Sequence, residues 1–144
     1  MNDSNKSIPS FKIIQIIYGS LILGVIIMFK MFGFSNFTIN IESIDYIMPL
    51  VFIGILLLSK YLFNTKMSQI KGSDSLFEKI TKYQRANIMR GAPLEAFAIF
   101  AIFKGDIVFI ILTILIMLLY FPSKRKFEAK LPLTMQEKAR LKEM

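Results

Sequence analysis

The sequence predicts an all-α integral membrane bundle of four transmembrane helices, with both chain ends in the cytoplasm. Two observations carry this. The apolar residues, 54% of the 144, are gathered into blocks rather than spread along the chain. The 18 Lys and Arg residues are placed unevenly between those blocks. A membrane span needs about 20 predominantly apolar residues, because the hydrocarbon layer is about 30 Å thick and a helix rises about 1.5 Å per residue.

The first span is expected at about 11–33, around the uncharged run Ile13 to Phe29. It lacks an A-x-A-like cleavage site and its apolar region is longer than that of a signal peptide, so it reads as a retained helix. Gly19, Ser20 and Gly24 on it form a small-residue packing face. The second span is expected at about 46–64. The third, at about 76–103, includes a cytoplasmic extension, because Ser75 followed by Glu78 matches a capping box and places the helix start before the apolar run. The fourth, at about 106–121, ends at Pro122 and is short, which local bilayer thinning accommodates. The tight turn Lys104 to Asp106 makes spans three and four antiparallel neighbours, and Asp106 is positioned to cap the fourth. Residues 122–144 form a basic cytoplasmic tail. Within it Thr134 and Glu137 match a second capping box, so a short helix is expected to about Glu143. That tail either lies on anionic headgroups or is solvated. The lead MNDSNKSIPS and the loop from Gly33 to Asp45, with Asn36, Asn40, Glu42 and Asp45, complete the connections.

Orientation follows from charge. The two termini and the loop between spans two and three hold 15 Lys and Arg; the other two loops hold only Lys30 and Lys104. The excess belongs on the cytoplasmic side. The net charge of +8 is therefore a topology signal, and no nucleic-acid partner is expected.

The chain has no Cys and no His. Thiol nucleophiles, histidine bases and nearly all zinc, haem and iron–sulfur sites are excluded, no glycine-rich phosphate loop is present, and neither a cofactor nor an enzymatic activity is expected. The chemistry that remains lies in NIMRGAPLEAFAIFAIF, Asn87 to Phe103. Gln84, Asn87, Gly91 and Glu95 are three, four and four residues apart and share one helix face, with Tyr83 and Arg90 beside it. Arg90 lies roughly 7 Å and Glu95 roughly 15 Å deeper than Arg85, so Arg90 is shallow enough to snorkel, whereas Glu95 falls near the midplane. A charge at the midplane costs at least about 2.5–3.5 kcal/mol. Arg90 and Glu95 are poorly placed for a direct pair on a straight helix. Pro93 lacks the amide donor that Met89 needs, and a kink there, next to Gly91, would bring the two closer. Gln15, Tyr18, Ser59 and Tyr120 are polar partners at the same depth on the other helices.

The stretch YQRANIMRGAPLEAFAIFAIFKGD, Tyr83 to Asp106, resembles a group of uncharacterised small four-span bacterial membrane proteins. They share a Tyr-Gln lead, an Arg with a Glu five positions later, a short turn, and an apolar last span ending in Pro and a basic tail. The resemblance covers the second half of the chain. It implies the four-span fold and the bacterial cytoplasmic (inner) membrane, and no activity. LEAFAIFAI is also locally similar to the ion-binding helix of rotary ATPase c subunits, with Glu95 at the position of the ion-carrying carboxylate. The large basic middle loop and the absence of a glycine-rich first helix depart from that family.

Two functional readings follow. In one, a non-enzymatic accessory bundle binds membrane lipids, another membrane protein or a second copy of itself, and Tyr83, Gln84, Asn87, Arg90, Glu95, Gln15 and Tyr18 are its binding residues or simply fasten its helices. In the other, a small transporter or ion-coupling protein uses Glu95 as a protonatable group.

Overall fold

The computed structural model describes residues 11–32 and 46–143, without the side chains of 142 and 143; the polar lead and the loop at 33–45 lie outside the described residues. All regular structure among them is helical: α1 (Phe11–Phe32), α2 (Ile47–Met67), α3 (Leu76–Lys104), α4 (Ile107–Leu119), α5 (Lys124–Lys130) and α6 (Met135–Glu143). The first three are long and apolar enough to cross a membrane. At 13 residues, α4 spans only about 20 Å. After it the chain bends by 68° into α5, five of whose seven residues are charged. Three helices thus qualify as spans, and four do if the bent pair counts as one.

The caps set where the elements begin. The Ser75 side chain accepts from the Glu78 amide and Glu78 bonds back to the Ser75 amide, as the capping box requires. At the other end of α3, Gly105 takes φ 73°, a left-handed conformation that suits glycine. Asp106 then caps α4 by accepting from the Phe109 amide at 3.4 Å. The Thr134–Glu137 box closes in the same way at the start of α6.

α3 is the hub, with α1, α2 and α4 packed around it. α1 runs parallel to α3: Phe11 stacks on Tyr83 near the starts of both helices, and Phe32 meets Phe103 near their ends. The end of the bundle near Phe11 and the tail is called the basic end here, and the opposite one the Gly105 end. The middle of the bundle is an apolar core of Val25, Phe52, Leu94, Phe97, Ala98, Ala101, Ile110 and Met117. Small residues bring α1 and α3 together. A Cβ on Gly91 would come within 3.0 Å of Leu21 and Tyr18 side-chain atoms. The outward faces carry Ile16, Leu23, Leu50, Leu57, Leu112 and Leu119 exposed, as a surface meeting lipid requires.

A second core lies beyond the apolar one at the basic end. Phe11, Ile14, Phe63, Ile80, Tyr83, Phe127, Leu131 and Leu141 pack together there. The residues after Pro122 contribute to this core. α5 and α6 fold back, bury Phe127 and Leu141 completely, and lock onto α3 through Lys79, whose Nζ lies 2.9 Å from Glu137 Oε1 and donates to the Pro132 carbonyl. In the loop between α2 and α3, Asp74 accepts from Lys82 and from the Lys71 amide; the Lys82 bond foremost holds its carboxyl below the ordinary aspartate value.

Candidate functional site

The polar residues of α3 divide into two groups. Tyr83, Asn87 and Arg90 lie on the buried face, while Gln84 and Glu95 sit half-buried at its edges. The centre of the stripe is therefore Arg90, not the Gln84–Glu95 line. Arg85 is exposed, as expected.

Arg90 does not snorkel. Its residue is 7% exposed, and the guanidinium is held between two rings, 4.0 Å from the centroid of Phe63 and 4.3 Å from that of Tyr120. Its Nη2 donates to Asn87 Oδ1 and to the Tyr120 carbonyl, both at 2.9 Å. Asn87 is itself oriented by donating to the Tyr83 carbonyl at 2.8 Å. The Ser59 hydroxyl on α2 donates to the Arg90 backbone carbonyl at 2.7 Å, in the turn where Pro93 leaves a helix acceptor without its donor. α3 continues through that proline as one helix.

These bonds belong to a larger arrangement at the end of α4. A helix ends with carbonyls that have no intrahelical donor and carry partial negative charge, and cations stabilise them. Here four successive carbonyls are met by side chains. Lys126 Nζ donates to Leu119 and Phe121, Arg90 to Tyr120, and Gln15 from α1 to Pro122. The short fourth helix can stop inside the fold because its exposed dipole end is covered by two cations and an amide. Burial, and after it the charge of Arg90, hold the Lys126 ammonium below the usual lysine range. The same two causes act on Lys130, whose Nζ lies 4.5 Å from the Phe63 ring centroid.

Glu95 stands apart. A Cβ built on Gly24 of the facing helix would lie 3.4 Å from its Oε1. No hydrogen bond or ion pair joins Glu95 to the described residues. The pair with Arg90 is not formed: the guanidinium reaches toward the basic end and its acceptors are carbonyl oxygens. Tyr18 is fully buried against Gly91, and its hydroxyl lies against the Arg90 guanidinium without a well-formed hydrogen bond among the described residues; Gln84 makes no side-chain bond among them.

The sequence reading missed Phe63, Lys126, Lys130 and the Lys79–Glu137 pair. For Lys126 and Lys130 a signal existed. They follow the Pro122 stop, and basic residues just past a helix end serve its carbonyls. Nothing in the sequence marked Phe63 among fourteen phenylalanines. Compared with protein-family models, curated proteins and solved structures, the chain matches none.

Proposed function

We propose that the protein is a non-enzymatic accessory bundle that works by binding lipid and other membrane helices. It spans the bacterial cytoplasmic membrane four times, with α4 as the short last span and both termini inside. The observation that carries this reading is Glu95. It lies nine residues before the end of α3, about 13 Å from that end and so near the bilayer midplane, half-buried and without a hydrogen-bond or ion-pair partner among the described residues. Ala92 and Ala96 beside it are exposed, and small residues let a second helix approach closely. A neighbouring helix supplying a donor would remove the cost of the lone carboxyl. Tyr18, Asn87 and Arg90, toward the basic end from Glu95, are all buried, which disfavours an aqueous path from that side. The transporter reading keeps one supporting observation, the same unpartnered carboxyl.

The native chain has no cysteine, which makes cross-linking a direct test. Ala96→Cys in native membranes is expected to form a disulfide or bifunctional-reagent adduct with a neighbouring helix at several times the yield of Leu57→Cys, which lies on the exposed face of α2. Equal yields would overturn the reading. If Glu95→Gln abolishes a growth phenotype at unchanged protein level and unchanged cross-linking, the transporter takes its place. Orientation is tested separately with reporter fusions at Asn36 and Gly105, both expected outside the cytoplasm; a cytoplasmic reporter signal at Gly105 would exclude four spans with both termini inside.

A further inference from the structure

We propose that Arg90, Lys126 and Lys130, gathered around Phe63 and Tyr120, form a binding site for a phosphate group, supplied in the membrane by the headgroup of an anionic lipid. This rests on the lipid-binding reading above and gives it a place in the molecule.

Three observations point the same way. First, the three cations converge without a counter-ion. The ion pairs among the described residues are Lys79–Glu137 and Lys82–Asp74, and neither involves this group. Arg90 is almost completely buried with a permanent positive charge, which is costly unless something compensates it. Its carbonyl and amide acceptors supply dipoles but no net negative charge. Second, the site contains donors without a well-placed acceptor. Nη2 is saturated, and Arg90 Nε and the Tyr18 hydroxyl, which lies against the guanidinium, are both buried without a well-formed hydrogen bond among the described residues. Both residues are more than nine-tenths buried. Buried polar atoms left unpaired are few in any protein, and each calls for an explanation. Third, the Phe63 ring serves two cations at once, Arg90 at 4.0 Å and Lys130 at 4.5 Å. One cation over a ring is stabilising; the second repels the first. A phosphate anion bound beside these cations would offset that repulsion.

The chemistry of the donors selects the ligand. With Nη2 already bonded, the guanidinium offers phosphate its fixed charge and its remaining N–H groups as single donors, and the ammonium groups act as point charges on the other oxygens. Lys130 makes no hydrogen bond within the described residues and is exposed, so it can reach an incoming phosphate without loss of structure. The group sits where the apolar α4 gives way to the charged α5. That is the level of lipid headgroups on the side where anionic lipids attract basic residues.

The test uses the full chain in a neutral detergent, with thermal unfolding followed by circular dichroism. The probes are phosphatidylglycerol, phosphatidylcholine and inorganic phosphate, each titrated separately. Phosphatidylglycerol is expected to raise Tm and phosphatidylcholine is not. Lys130→Gln should weaken the phosphatidylglycerol response about fivefold, the scale for one basic residue near a charged surface. Lys138→Gln removes the same charge from the exposed face of α6 and should change it less than twofold. If inorganic phosphate alone reproduces the Tm rise with the same dependence on Lys130, the site stands and its source is a soluble phosphate. The proposal is overturned if neither phosphate source raises Tm, or if Lys138→Gln weakens the response as much as Lys130→Gln. Cross-linking at Ala96 does not depend on this site, so either result can fail without the other.

Discussion

Replacing Arg90 by alanine is expected to lower the stability of the bundle by about 3 kcal/mol, from the loss of charge-assisted bonds and two cation–π contacts. The change leaves Asn87 Oδ1 and the Tyr120 carbonyl without their shared donor and opens a space between Phe63 and Tyr120. Arg90→Lys should recover only part of the loss, because one ammonium cannot reproduce the fork held between two rings. The informative comparison is with Glu95. A double-mutant cycle between Arg90→Ala and Glu95→Gln should give coupling within about 0.5 kcal/mol of zero, since residues without a shared contact behave additively. The cycle between Arg90→Ala and Asn87→Ala should give about 1 kcal/mol, the scale of the hydrogen bond that joins them. Thermal unfolding in detergent measures both. A coupling above about 1 kcal/mol between Arg90 and Glu95 would restore the intramembrane ion pair that the structure does not form.

Glu137→Ala is expected to release α5 and α6 from the end of α3. Lys79 is 1% exposed and keeps only the Pro132 carbonyl as a partner once the carboxylate is gone. Removing one member of such a pair leaves a buried charge, at a cost of about 2–3 kcal/mol, taken below the range for fully buried pairs because Glu137 keeps contact with water. Lys79→Met together with Glu137→Ala should regain most of that loss, as an apolar side chain of similar length can fill the place of Lys79. Limited proteolysis at residues 131–134 reads the release directly. Acid should act as the mutation does. Burial alone would raise the Glu137 carboxyl, but the Thr134 amide and Lys79 outweigh it and hold its pKa below 4.5 in the folded chain. A depressed carboxyl contributes stability that is complete above the unfolded value and is lost as pH falls through the folded one. Cleavage in the tail should therefore rise as pH falls below the ordinary glutamate range in the wild type and show little such rise in the double variant. A wild-type tail that stays protected in acid would show that the apolar contacts of Phe127 and Leu141 hold it without the ion pair.

The sequence by itself determined the helices and their ends. Apolar blocks of span length, two Ser/Thr-x-x-Glu boxes, Asp106 and Gly105 act over a few residues, and such local signals place α1 to α4 within a few residues of where they lie. It also singled out the polar residues of α3, because a charge inside an apolar run is visible without any neighbour. What each of those residues does was decided by tertiary structure alone. Arg90 and Glu95 look like partners along the chain, yet they diverge because the acceptors for Arg90 come from the end of α4, thirty residues away. The tail reads as polar and basic, yet it is held by Phe127 and Leu141, whose burial depends on a surface made by α1, α2 and α3 together. Periodicity reports which way a side chain points from its own helix. Which carbonyl, ring or empty space it meets there depends on how helices distant in sequence cross, and that is a property of the packed bundle.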